Sequence, residues 1–133
     1  MATKKPTKTP GKKKSHLIVG EHGRIYVTAT FNNSLVSITN DNGDLISWSS
    51  AGNSGFKGTR KSTPYAASLA VENAAKKALS LGLKSVDVFI KGPGSGRDSS
   101  LRAIKGAGFS ITSIADITPI PHNGPRAKKK RRV

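Results

Sequence analysis

Cysteine is absent from the 133 residues, so no disulfide or thiolate nucleophile is available, and a zinc site would have to come from three histidines and a few carboxylates. Acids are scarce: seven Asp and Glu stand against 23 Lys and Arg, a net charge of +16. Aromatics make up 5% and apolar residues 35%, which suits one compact domain with a modest core. No apolar run approaches the length that spans a bilayer, and the opening MATKKPTKTP lacks the apolar middle of a secretory signal. A cytoplasmic chain with few parts for catalysis is expected. No cofactor, metal or small-molecule substrate is called for.

What is abundant is positive charge, and its placement says more than its size. Residues 1–14 carry Lys4, Lys5, Lys8, Lys12, Lys13 and Lys14; residues 125–133 carry Arg126, Lys128, Lys129, Lys130, Arg131 and Arg132. Neither end has an acid, so the body between them keeps eleven cations against all seven acids, a net of only +4. Blocks of like charge cannot collapse on themselves, and they are expected to be disordered arms that order on a polyanion. If about six of these cations displaced counterions from phosphates, affinity would fall roughly a thousandfold between about 50 and 200 mM salt. A membrane surface fits less well, because neither tail offers apolar residues on a helical face.

The body alternates. Ile25, Val27, Ala29 and Phe31 share one side of a strand over Arg24 to Phe31, with Tyr26, Thr28 and Thr30 on the other. A tight turn at Asn32 and Asn33 would return the chain through Ser34 to Asn40, setting Ala29 against Val36 and Val27 against Ile38. The next turn, DNGD, could be a two-residue Asn42-Gly43 hairpin, but that register opposes Trp48 to Ser37 and mixes the faces. A three-residue loop with left-handed Gly43 is therefore expected, pairing Ile38 with Ile46 and Val36 with Trp48. The Tyr26, Thr28, Thr30, Ser37, Thr39, Ser47 and Ser49 face would then meet solvent or a partner.

Thr63 and Pro64 read as helix N-cap and first-turn proline, with Gly82 as the stop. The intervening stripe of Ala67, Ala70, Val71, Ala74, Ala78 and Leu81 suits close packing on a sheet. Ser85 to Ile90 reads as a buried strand, Leu101, Ala103 and Ile104 mark a short second helix, and Phe109 to Ile117 makes a last strand. The fold class is α/β: a two-layer mixed five-stranded sheet with two helices, ordered β-β-β-α-β-α-β as in ribonuclease H-like folds, with right-handed crossovers. The expected divisions are a basic arm at 1–15, one domain at 16–118 and a basic extension at 119–133.

Parallel third, fourth and fifth strands would send two loops and the C-terminal extension out of one edge, the usual ligand edge of α/β folds. There Lys57, Arg60 and Lys61 sit between glycines just ahead of a helix N-terminus, where charge, backbone donors and dipole act on one anion. The loop KGPGSGR, residues 91–97, matches neither the Walker A pattern nor the dinucleotide fingerprint, so no nucleotide is expected in it. Ser95 and Asp98 fit a capping box. The glycines then make either a tight strand-to-helix turn or a close approach to a phosphate backbone, with Lys91, Arg97 and Arg102 supplying charge. Nucleases of this topology cluster carboxylates on metal ions, whereas here no two acids are locally spaced to share one, although Asp87 and Asp116 stand on neighbouring strands. His16, His22 and His122 have no ligand spacing either. An enzyme is not expected.

FNNSLVSITN, GFKGTRKSTPYAA, KGPGSGR and TPIPHNGPRAKKKRRV occur in this order, and from about residue 16 to the end the chain resembles the family of small-subunit ribosomal protein eleven, bacterial type. The resemblance implies a ribonuclease H-like domain without catalytic residues. It implies a place on the small-subunit platform, bridging rRNA helices and lining the mRNA channel at the Shine-Dalgarno cleft, beside small-subunit proteins seven and eighteen. Its rRNA contacts map onto Lys57, Arg60, Lys61, Lys91, Arg97 and His122 to Arg132, including Asn123. Arg102 and the arm residues Lys12, Lys13 and Lys14 are added on charge alone. Asn123 before Gly124 is also a pair prone to isoaspartate formation, as in some family members. One departure is Pro125, where bacterial members usually have cysteine. A DNA-compacting architectural protein is the rival class.

Overall fold

A computed structural model describes residues 19–132; the expected arm at 1–15, with Lys12, Lys13 and Lys14, lies outside the described residues. Strands β1 (His22–Ala29), β2 (Ser34–Asn40) and β3 (Leu45–Ser50) form a meander, followed by a 3-10 turn (Gly58–Ser62) and helix α1 (Pro64–Ser80). Then come β4 (Ser85–Lys91), α2 (Gly96–Gly106) and β5 (Ser110–Asp116). The five strands lie in the order β3-β2-β1-β4-β5. β2 is antiparallel to both its neighbours, while β4 runs parallel to β1 and to β5. Hence β1, β3, β4 and β5 all point the same way, the α/β topology expected.

Alternation makes this sheet two-faced. Ile25, Val27, Val36, Ile38, Val86, Val88 and Ile90 turn inward and are buried, and α1 meets them with Ala66, Ala67, Ala70, Val71, Ala74, Ala75 and Ala78. Small side chains let the helix axis approach the sheet closely, and each buried Ile or Val contributes about 1.5–3 kcal/mol. From α2, Ile104 completes the core. Among the described residues no helix covers the opposite face, and there Tyr26 and Phe89 stack at 5.2 Å between centroids.

Helix starts and stops follow the expectation more closely than strand registers do. Thr63 caps α1 by accepting from the Ala66 N–H at 3.3 Å, with Pro64 following, and Gly82 takes φ 98° just past the end. The first hairpin differs. Ile25 pairs with Ile38, Val27 with Val36 and Ala29 with Ser34, two residues away from the expected register. The loop is four residues long, and Thr30 and Asn33 bind one another through backbone and hydroxyl. The cause lies elsewhere in the chain: the Gly94 N–H donates to the Ala29 carbonyl at 2.8 Å, which ends β1 there, and Phe31 is left 74% exposed. A slip of two keeps every face.

The second hairpin begins as expected, with Gly43 at φ 91° and Thr39 opposite Leu45. A register shift follows at once, and beyond it Ile38 pairs with Ser47, Ser37 with Trp48 and Val36 with Ser49. Trp48 therefore stands on the open face and Ser47 and Ser49 lie under α1, the reverse of the expected arrangement. The physical reason is room. An alanine-lined helix close to the sheet admits serine and has no space for indole, and the Ser47 hydroxyl donates to the Ala74 carbonyl at 2.9 Å. The expected capping box of α2 is also absent, since Ser95 makes no side-chain cap.

Candidate nucleic-acid interface

The shared direction of β3, β4 and β5 delivers three segments to one rim. After β3 the chain coils through residues 51–57, where the Ala51 N–H donates to the Ser34 carbonyl at 3.1 Å and the Phe56 N–H to the Ala51 carbonyl at 3.2 Å. Phe56 meets Tyr65 edge to face at 5.9 Å. Gly55 (φ 99°) and Gly58 (φ 59°) allow the turns that set Lys57, Arg60 and Lys61 just ahead of α1. The Thr63 hydroxyl, besides capping the helix, donates to the Arg60 carbonyl at 2.8 Å and so ties the cationic turn to the helix start. No acid stands in the first turn of α1. Among the described residues Lys57, Arg60, Lys61, Lys91 and Arg102 make no ion pair.

The loop after β4 packs beneath this turn. A Cβ at Gly92 would strike the Ala29 carbonyl and one at Gly94 the Thr30 carbonyl, so these positions must be glycine for the loop to cross the end of β1. The Gly94 N–H is already bonded to Ala29, and the Gly92 N–H donates to the Thr118 hydroxyl at 3.2 Å. Of the two readings left open, tight turn or phosphate cradle, the turn is what these two glycines serve. Ser95 donates its hydroxyl to the Ser62 carbonyl at 2.7 Å and clamps this loop to the cationic turn, a bond no local pattern could announce.

The third segment is rooted in the same place. Arg97 donates to the Gly92 carbonyl and to the Asp116 carboxylate, at 2.7 Å each. Asp116 also accepts from the Thr118 hydroxyl at 2.6 Å and the Thr118 N–H at 3.0 Å, and these bonds, with Arg97, hold its carboxyl well below the ordinary carboxylate range. From Ile117 to Arg132 there is no helix or strand, and every residue is exposed, His122, Asn123, Arg126, Lys128, Lys129, Lys130, Arg131 and Arg132 among them. Asn123 has φ 59°.

The candidate residues thus divide. Lys57, Arg60, Lys61 and Lys91 come together at the rim with the root of the extension. Arg97 is there too, but its guanidinium is engaged by protein. Arg102 is not at the rim: it lines the groove between α1 and α2. Sequence reasoning gave no role to Ser62 or Thr118 and read Ser95 only as a helix cap, yet these three join the segments.

Asp41 and Asp87 both approach His22 Nε2, at 3.7 and 3.1 Å, away from the rim. Asp87 is opposite Ser113 in the β4–β5 pairing and Asp116 is opposite Ile90, three residues further along. The Ser113 hydroxyl donates to Asp87 at 2.9 Å and His22 Nε2 donates at 3.1 Å, which holds its carboxyl below the usual range. No group of three or more His, Asp or Glu suited to a metal occurs among the described residues.

With a ribonuclease H-like sheet, a cationic rim and no carboxylate cluster in place, comparison with known families is decisive. The model of the family described as Ribosomal protein S11 matches residues 23–132. The chain belongs to that family. Among its relatives, "Small ribosomal subunit protein uS11c" of Trieres chinensis is 61% identical over 112 residues, covering 84% of this chain and 86% of the relative. "Small ribosomal subunit protein uS11" of Christiangramia forsetii (strain DSM 17595 / CGMCC 1.15422 / KT0803) is 50% identical over 133 residues, all of both chains. Members of the ribosomal protein S11 family are structural constituents of the small ribosomal subunit and not enzymes, which places this chain with rRNA in the cytoplasmic ribosome. No helix among the described residues is long and apolar enough to cross a membrane.

Proposed function

We propose that the rim and the C-terminal extension grip the sugar-phosphate framework of small-subunit rRNA on the platform, bridging rRNA helices at the Shine-Dalgarno cleft beside the mRNA channel. Lys57, Arg60, Lys61 and Lys91 supply fixed charge, and His122 to Arg132 thread between helices. Arg97 acts by holding the extension to the loop, and Arg102 contacts RNA only where a helix passes the α1–α2 groove. Residues 1–15, with Lys12, Lys13 and Lys14, form a second arm outside the domain at 16–118, and 119–133 form the extension. Small-subunit proteins seven and eighteen are the proposed protein neighbours.

The observation that carries this reading is the pair of hydrogen bonds, Ser95 to Ser62 and Gly92 to Thr118, that fastens two cation-bearing loops and the root of the extension together. Of the two acids near the rim, Asp116 is already paired with Arg97, while Asp98 stands exposed in the first turn of α2. Binding of rRNA platform fragments and of duplex DNA, compared across a salt series, tests it. Tighter binding to the folded rRNA is expected, and equal affinity for duplex DNA would favour the architectural class instead. The left-handed Asn123 beside Gly124 supports succinimide closure, in which the Gly124 nitrogen attacks the side-chain amide, ammonia leaves and water opens the ring to isoaspartate. Labelling by an isoaspartyl methyltransferase is expected at position 123, and its absence from aged protein rejects the modification.

A further inference from the structure

The sheet ends at β3 on one side, so among the described residues no strand faces the outward donors and acceptors of β3. Natural edges are usually blunted by lysine, proline or inward-pointing charge. Leu45–Ser50, reading LISWSS, has none of these. Among the described residues, no backbone hydrogen bond outside the sheet reaches residues 45–49. The chain's one tryptophan stands in this strand, and Trp48 is 56% exposed. Leu45 and Leu35, each 47% exposed, flank it on the open face, because Ser37 pairs with Trp48 and Thr39 with Leu45. An exposed indole beside two leucines on an unguarded edge has the composition of an interface centre.

We propose that β3 is a docking edge for an extended segment of another protein, which adds as a further strand, sets an apolar side chain against Trp48 and carries lysine or arginine toward Asp41 and Asp44. Open backbone donors and acceptors call for a second backbone, which supplies the ladder while pockets between side chains supply selectivity. Charge selects protein over nucleic acid: β3 has no cation, and Asp41 and Asp44 stand exposed in the turn where it begins. Phosphates are repelled there and a basic peptide is drawn in. The other edge is less suited, since β5 exposes no aromatic ring and is pinned at its end by Arg97 and Asp116. This edge is separate from the cationic rim, and the inference does not rest on the rRNA contacts proposed there.

The test uses small ribosomal subunits carrying the full chain with Trp48→p-benzoylphenylalanine, irradiated so that position 48 captures whatever lies against it. The expected product is an adduct with another protein, on a segment with alternating apolar and basic residues. An adduct with RNA, an adduct with residues 1–18 of this same chain, or no adduct overturns the proposal. Should the substituted chain fail to enter subunits, amide exchange in the unaltered protein decides. Residues 45–50 are expected to exchange slower by about tenfold or more in the subunit than in the free chain, and equal rates reject a bound strand.

Discussion

Arg97 divides its guanidinium between the Gly92 carbonyl and the Asp116 carboxylate, and Asp116 in turn holds Thr118. The cations of the rim can be read from the sequence, but this use of Arg97 cannot, because Asp116 comes within reach only through the β4–β5 pairing. The Thr118 hydrogen bonds first, and then Arg97, keep Asp116 ionised below the ordinary value of 3.8. A carboxyl whose folded value is depressed contributes stability that is complete above the unfolded value and is lost as pH falls toward the folded one. Asp116→Asn is therefore expected to melt at a lower temperature than the native chain at neutral pH, with the gap closing as pH falls below 3.8. Asp87 shifts in the same direction in both proteins, so the difference between their melting curves isolates Asp116. A gap that stays constant into acid would show that the carboxylate's charge is not what holds the root of the extension.

Among elements, helices were more legible than hairpins for a physical reason. A helix announces its ends locally, and Thr63, Pro64 and Gly82 did so. A hairpin's register is fixed by what each strand meets elsewhere. β1 stops at Ala29 because Gly94 takes its carbonyl, and alternation cannot detect a slip of two that preserves both faces. The shift in the β2–β3 pairing moves Trp48 outward because α1 leaves room only for Ser47 and Ser49 beneath it. Both misreadings came from tertiary contacts overriding a pattern that was sound locally. Thr63 carries an element-scale prediction because its hydroxyl serves α1 and the 3-10 turn together. Thr63→Ala is expected to cost about 0.5–2 kcal/mol in chemical denaturation, with Thr63→Ser retaining most of the stability. The same alanine variant leaves the Arg60 carbonyl only the longer bond from the Thr63 N–H, at 3.4 Å, so its RNA affinity should fall further than that of the serine variant.

At the scale of the molecule, charge is polarised along the strands. Glu21, Asp41, Asp44 and Asp87 lie toward the end of the sheet opposite the cationic rim, two of them at the turn before β3. If RNA is held at the rim as proposed, it meets the cationic end, while at the other end Lys84 pairs with Glu21 and Arg24 lies beside Asp87, leaving Asp41 and Asp44 as the exposed acids. Removing residues 125–133 deletes six cations and no acid from a segment outside every helix and strand, so the melting temperature should hardly move. If all six cations neutralise phosphates, the salt dependence of rRNA binding should become shallower by roughly 4 to 5 in the slope of log affinity against log salt. Replacing Lys57, Arg60 and Lys61 with alanine removes three more charges, and the same reasoning gives a loss of roughly 2 to 3. The two changes are not expected to add. If one folded RNA is held by rim and extension together, loss of the extension lets the RNA leave the rim, and the second set of substitutions then removes contacts already weakened. Strictly additive losses would mean that the two cationic segments hold separate stretches of RNA, and their joining through Ser62, Ser95 and Thr118 would then serve the fold alone.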